Sequence, residues 1–196
     1  TMAHIWSEEN KFNTWYDVEL AISKIQAQLN IVPYDVPKTM EALKTQCLSN
    51  NYVEKINEIE NTVKHDIIAF LTHLAKILGE PSKYVHFGMT SQDLIDTAQA
   101  ILLRDSIHLI NTKLASLGKS LLDKALLYKN TPCIGRSHGI HAEPMTFGLK
   151  LLGHFAAIDR CRRNLQNDMN NIVTIKCSGA VGTFSMLDPT VEENLS

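Results

Sequence analysis

Two histidines, His138 and His141, stand three positions apart in the segment GRSHGIHAEP, residues 135–144. Histidine has the unperturbed pKa nearest neutrality, so a histidine held in place can give or take a proton at physiological pH. Gly135 and Gly139 let the backbone bend and approach a ligand, and Pro144 suits the first turn of a following helix, so His138 is expected between rigid elements. Taken alone, the segment is equally compatible with an ordinary loop histidine. A metal pair completed by Glu143 is the third reading, but histidines at i and i+3 across a glycine lack the i, i+4 spacing of the helical HExxH zinc motif.

Two further segments could take part in chemistry. Lys64, His65 and Asp66 read KHD and sit within an apolar helical pattern, where such residues are also common as surface or boundary groups. Thr90 to Asp93 read TSQD, and hydroxyls beside the free N–H groups of a helix start can hold carboxylate or phosphate oxygens as well as serve as a plain N-cap. Together the three segments offer a neutral-pH acid or base, a second histidine among charges, and an anion-binding helix start. Elimination next to a carboxylate needs these parts, because negative charge builds as the proton leaves and the departing atom needs a proton from a general acid. Neither GxSxG nor a glycine-rich phosphate loop occurs; SGAVGTF at 178–184 matches neither.

The elements that must position these residues are helical. Ser7 with Glu8 and Glu9 predicts a helix start, and Phe12, Trp15, Ile22, Ile25 and Leu29 continue it on one face until Pro33 and Pro37. A short helix over about 38–47 follows. Val53, Ile56, Ile59, Val63, Ile67, Phe70, Leu74 and Ile77 then predict one long helix that ends at Gly79, with His65 and Asp66 inside it. Thr90 or Ser91 is the expected N-cap of a run over 92–128, on the order of 55 Å if unbroken. A second long helix is expected from Pro144 to about Val173, with Leu149, Leu152, Phe155, Leu165, Met169 and Ile172 as its packing stripe. The only strand-like stretch is 172–184.

Composition narrows the class. A chain of 196 residues with 44% hydrophobic residues can build a sizeable core, and a formal charge of −2 gives no general electrostatic reason to bind nucleic acid or anionic membrane. Four cysteines without CxxC spacing suggest neither a zinc framework nor a disulfide scaffold, so a reducing cytoplasm is expected. No run of 18 apolar residues and no signal-like N-terminus is seen.

The blocks IWSEENKF, KHDIIAF, YVHFGMTSQDLIDTA, GRSHGIHAEPMTFGLKL and SGAVGTF, in this order, closely resemble the N-terminal part of the adenylosuccinate lyases of the fumarase/aspartase superfamily. The resemblance implies an all-α fold: an N-terminal helical domain over 1–106, then the first long helices of an elongated bundle domain over 107–196, truncated. It implies β-elimination of fumarate from adenylosuccinate to give AMP, and from the succinylcarboxamide ribotide, with no metal or organic cofactor. His138 matches the family's general acid. Ser137 stands where a threonine is commoner, keeping the hydroxyl and losing a methyl. Lys64, His65 and Asp66 match a substrate segment in which arginine is commoner than lysine, so a point charge replaces a bidentate fork. Thr90 and Ser91 match a substrate-contacting pair, and His86 is a candidate for the phosphate side of the pocket.

The same resemblance implies a homotetramer in which each site takes segments from three subunits. Two departures accompany it: nothing before Ala3 matches the family's arginine-tyrosine phosphate pair, and the chain stops at Ser196, before the loop whose serine is the general base. A fragment, inactive alone, is therefore expected. The alternatives are another fumarate-releasing lyase, such as an argininosuccinate lyase, or a non-catalytic helical assembly module.

Overall fold

The computed structural model describes residues 1–195 and divides them into two compact units, 1–103 with 173–195, and Arg104–Ile172. The fold is all-α apart from one hairpin: α1 (Met2–Ile5), α2 (Glu8–Gln28), α3 (Asp35–Cys47), α4 (Tyr52–Val63), α5 (Asp66–Leu78), a 3-10 turn (Glu80–Tyr84), α6 (Ser91–Leu127), β1 (Pro132–Ser137), β2 (Ile140–Thr146), α7 (Phe147–Ile172) and α8 (Pro189–Leu195).

In the first unit the apolar face of α2 forms the centre of the core. Ser7 caps that helix as the sequence implies, its side chain accepting from the Asn10 N–H at 3.2 Å, with Glu8 and Glu9 in the first turn. Phe12 stacks on Phe70 of α5 at 5.9 Å between ring centroids, while Trp15 meets Phe70 edge-on at 5.5 Å. These rings join Tyr16, Met40, Ile56 and Leu94 in one buried cluster. Two buried polar groups of this core are bonded: the Tyr16 hydroxyl donates to the Met40 carbonyl at 2.6 Å, and His73 Nε2 lies 2.8 Å from the Cys47 carbonyl.

The long helix expected around KHD is two helices. Lys64 adopts a left-handed conformation (φ 56°) that ends α4, and His65, extended at φ −154°, is the N-cap of α5. Continuous apolar periodicity hides this break, because both helices turn the same kind of face to the core. Residues 173–195 return to the first unit, whereas the sequence groups them with the bundle; Cys177, Leu187 and Val191 are buried there in the core cluster.

In the second unit, α6 from Arg104 onward and α7 run antiparallel: Tyr128 meets Phe147 at 5.5 Å, and Arg162 Nε donates to Asn111 Oδ1 at 3.0 Å. The expected N-terminal turn of α7 at Pro144 is instead part of β2, paired with Ile134, and the helix begins three residues later. A strand tolerates proline at an unpaired N–H, so the residue that looked like a helix start marks a strand edge. The strands therefore fall at 132–137 and 140–146, and 172–184 holds none. The apolar stripe of α7 finds little cover: Gly148 is its one buried residue, and Leu149, Leu152 and Ile172 stay exposed.

His73 supplies a pH test. Burial lowers its pKa below 6.5, outweighing the Cys47 hydrogen bond, and Lys55 and Lys76 add to the lowering. A depressed histidine favours its neutral form in the fold, so its contribution is complete above 6.5 and is lost as pH falls towards the folded value. Urea titrations of wild type and His73→Gln should diverge below that pH, with a slope approaching about 1.4 kcal/mol per pH unit.

Candidate active site

At the start of α6, one carboxylate organises the local backbone. Asp93, on the first turn and 0% exposed, accepts from Thr90 N–H at 2.9 Å, as the third helical residue of a capping box does. Its oxygens also take the N–H groups of Ser178 at 3.1 Å and Gly179 at 3.1 and 3.2 Å, and the Lys176 ammonium at 2.5 Å. Lys176 donates in turn to the Gly179 carbonyl at 3.0 Å, while Thr97 Oγ1 bridges the Lys176 backbone N–H and carbonyl. The SGAVG turn is thus tied to the helix start. Burial alone would raise the Asp93 pKa, but the Lys176 hydrogen bond, the Thr90 and Ser178 amides and the Lys176 charge together lower it.

The connector leading to this helix is held from its other side. His86, left-handed at φ 64°, gives its backbone N–H to Glu19 Oε2 at 3.1 Å and has its ring Nδ1 2.5 Å from Glu19 Oε1. Gln26 Nε2 donates to the Phe87 carbonyl at 2.9 Å. Gly88 must be glycine: its φ is +76°, and a Cβ there would lie 2.4 Å from the Met186 carbonyl oxygen. These contacts set Thr90 and Ser91, both half-buried, at the N-terminus of a 37-residue helix whose first N–H groups point outward.

Lys64, His65 and Asp66 occupy the α4–α5 joint. His65 Nδ1 accepts from the Ile68 N–H at 3.4 Å, which leaves Nε2 as the protonated, donating nitrogen of the neutral ring. Asp66 Oδ1 takes the Ile67 N–H at 2.7 Å, and Lys64 is exposed. Among the described residues no hydrogen bond or ion pair links this joint to the α6 start. His86, Thr90 and Ser91 are drawn together there, whereas Ser137 and His138 belong to the second unit.

In that unit the turn of GRSHGIHAEP is a two-residue β-hairpin. Ser137 pairs with Ile140, and His138 and Gly139 between them have φ of 53° and 75°, the double left-handed conformation of a type I′ turn. The register slips between Ile134 and Arg136. His138 therefore stands exposed at a hairpin tip. His141 pairs across the strands with Arg136 and is also exposed. No group of three or more His, Cys, Asp or Glu side chains is placed to hold a metal among the described residues.

Glu19 and Lys176 did not stand out in the sequence, and Asp93 stood there only as the last residue of TSQD. Glu19 had a readable signal: it falls four residues after Trp15 on the apolar face of α2, where an unpaired charge would be expensive. Asp93 sits at the capping-box position after Thr90.

The class is shown by the family match: the chain belongs to the family described as Lyase, which matches residues 1–196. More particularly, it is similar to proteins named adenylosuccinate lyase. That of Aquifex aeolicus is 41% identical over 192 residues, covering 98% of this chain and 44% of the relative, and that of Deinococcus radiodurans is 38% identical over 196 residues, covering 100% and 45%. The crystal structure of a fumarate lyase from Mesorhizobium sp. BNC1 superposes with a TM-score of 0.91 at 30% identity, covering 99% of this chain and 46% of that one. The chain thus spans less than half the length of these relatives. Among the described residues no helix is long and apolar enough to cross a membrane.

Two substitutions test the geometry. Asp93→Asn removes the partner of a buried ion pair and should cost about 3 kcal/mol in denaturant unfolding; a loss under about 1 kcal/mol would show that the carboxylate is not the tie. Lys64→Gly relieves a left-handed non-glycine residue and should raise stability by about 0.5–1 kcal/mol, while weakening substrate binding if the charge contacts an anion.

Proposed function

We propose that the full-length protein carrying these residues is an adenylosuccinate lyase. It cleaves the bond between the purine-linked nitrogen and the succinyl carbon, releasing fumarate and AMP, and acts likewise on the succinylcarboxamide ribotide. A base removes the proton next to a succinyl carboxylate, the C–N bond breaks as the double bond forms, and His138 protonates the departing nitrogen. The observation that carries this reading is the hairpin, which presents an exposed histidine from a two-residue turn of defined register.

The other residues fall into supporting roles. Thr90 and Ser91 at the α6 N-terminus suit an anionic group of the substrate, with His86 beside them. Lys64 adds positive charge, and His65, with its N-cap using Nδ1, offers Nε2–H as a donor; Asp66 fixes the joint through Ile67, and Ser137 precedes the acid in β1. No cofactor enters this scheme.

We further propose a homotetramer, in which the half-sites of different copies meet. The exposed apolar stripe of α7 supports this, since a face of that width is normally covered. A cytoplasmic location fits free thiols and a soluble nucleotide substrate. On this reading the 196 residues supply the acid side of the reaction, and alone they release no fumarate.

His138→Ala in the full-length protein should lower kcat by about 10² to 10⁴-fold while adenylosuccinate still binds. Fumarate absorbance measures the rate, and isothermal titration measures binding. Wild-type turnover in that variant would remove His138 from the acid role, and failure of the wild type to release fumarate from adenylosuccinate would sink the substrate assignment.

A further inference from the structure

Glu19 is the one charged side chain buried in α2, 0% exposed, and both its oxygens are spent on a single residue of the connector before α6. Oε2 takes the His86 backbone N–H at 3.1 Å and Oε1 faces Nδ1 at 2.5 Å. A carboxyl group buried this deeply needs hydrogen-bond partners to replace its lost water, and His86 supplies two contacts. With Nδ1–H directed at Glu19, a neutral ring would leave Nε2 a bare acceptor, whereas the protonated ring carries N–H on both nitrogens; Nε2 has no hydrogen bond to another of the described residues. The His86 side chain keeps 14% exposure at the edge of the α6 N-terminus. We propose that Glu19 is a positioning residue: it holds His86 as an imidazolium whose Nε2–H is presented to a phosphate or carboxylate oxygen of the substrate.

The surroundings agree with a charged ring. Burial opposes the charge, but the Glu19 hydrogen bond and the charges of Glu19 and Asp93 outweigh it and raise the His86 pKa above 6.5. Lys176 of the return segment is committed to Asp93, and the Cys177 thiol nearby stays neutral because burial, with Asp93 and Glu192 adding to it, pushes its pKa to about 12. The left-handed backbone at His86 fits the same role. A non-glycine residue there is strained, and the two bonds to Glu19 hold the conformation that turns the ring toward α2.

Glu19→Gln separates charge from geometry. The introduced amide can accept the His86 N–H with its oxygen and donate to Nδ1 of a neutral imidazole, so the ring keeps its orientation and its Nε2–H while losing its charge. The substrate assignment rests on the reading proposed above; the state of His86 does not, and NMR titration of labelled histidine in the full-length protein measures it without turnover. His86 should titrate above 6.5 in the wild type. In Glu19→Gln it should titrate lower, and the KM for adenylosuccinate near neutral pH should rise by about tenfold, the factor expected on losing the charge from one hydrogen bond. The loss falls on KM more than on kcat, and Glu19→Asp restores part of it.

The sign of the pH effect is fixed. Wild-type binding persists above 6.5 and declines as pH rises through the raised His86 value; in Glu19→Gln that decline moves towards acid. Inhibition by AMP and by fumarate separates the two anion sources, since only the one that Nε2–H contacts should weaken. Titration of wild-type His86 at or below 6.5 overturns the proposal, even if the variant fails to fold. Unchanged KM, pH profile and inhibition by both products in a folded Glu19→Gln protein overturns it as well.

Discussion

Asp93 carries its charge where no surface is left to water, and the first unit depends on how that charge is satisfied. Its donors come from residues 90, 176, 178 and 179, so a single carboxylate closes a loop of the chain more than eighty positions long. Closing so long a loop is entropically costly, and non-specific apolar contact would not fix where the ends meet. Directed hydrogen bonds do, because an ionised buried acceptor left with too few donors is far less stable than one fully matched. The SGAVG turn therefore has one place to dock, and with it docked, Cys177, Leu187 and Val191 complete a core that α2 and α5 leave open.

The same unit contains a second charge of this kind, and the two differ in an instructive way. Asp93 is met mainly by backbone amides and a lysine, groups that hold their protons throughout the accessible pH range. Glu19 is met by a histidine, which does not. One buried acid thus fixes chain topology, and the other couples local structure to proton concentration. Gln26 extends the polar row along α2 and pins the Phe87 carbonyl, so the connector from 85 to 89 rests on side chains from a helix far away in sequence.

Much of this was legible before any coordinates. Ser7 with its following acids marked the start of α2, TSQD marked the start of α6, and the uninterrupted run after it became a helix of the expected length. These signals are local: a cap, a dipole and a period of 3.6 depend on neighbours within a few residues. The α4–α5 break was not legible, because Lys64 ends a helix in the left-handed region without glycine, and the apolar pattern runs through the joint undisturbed. The hairpin was missed for a related reason. Its strands are short, exposed and not alternating, so neither hydrophobic periodicity nor propensity distinguishes them, and Pro144 suggested a helix instead. At the site itself, residue types offered a candidate proton donor and a candidate anion-binding helix start. Of the buried acids that hold the helix start and its connector, Glu19 lies on an apolar face, and the bonds from Glu19 to His86 and from Asp93 to 176–179 are tertiary contacts that no local rule supplies.

The conformation of residue 138 restricts what can evolve there. At φ 53° a side chain meets its own backbone, and the penalty is largest for β-branched residues and smallest for glycine, asparagine, aspartate and histidine. Of that tolerated set, glycine and asparagine exchange no proton near neutrality, and aspartate is ionised there and has none to give. The turn works as a filter on sequence space: drift at this position leads to inert residues or to the wrong charge, and a replacement acid such as glutamate, lysine or tyrosine would have to overcome backbone strain before offering any chemistry. On the role proposed for His138, exchanging the acid would require rebuilding the hairpin around it, so the shape of two residues restricts this position more strictly than the side chain's own chemistry would demand.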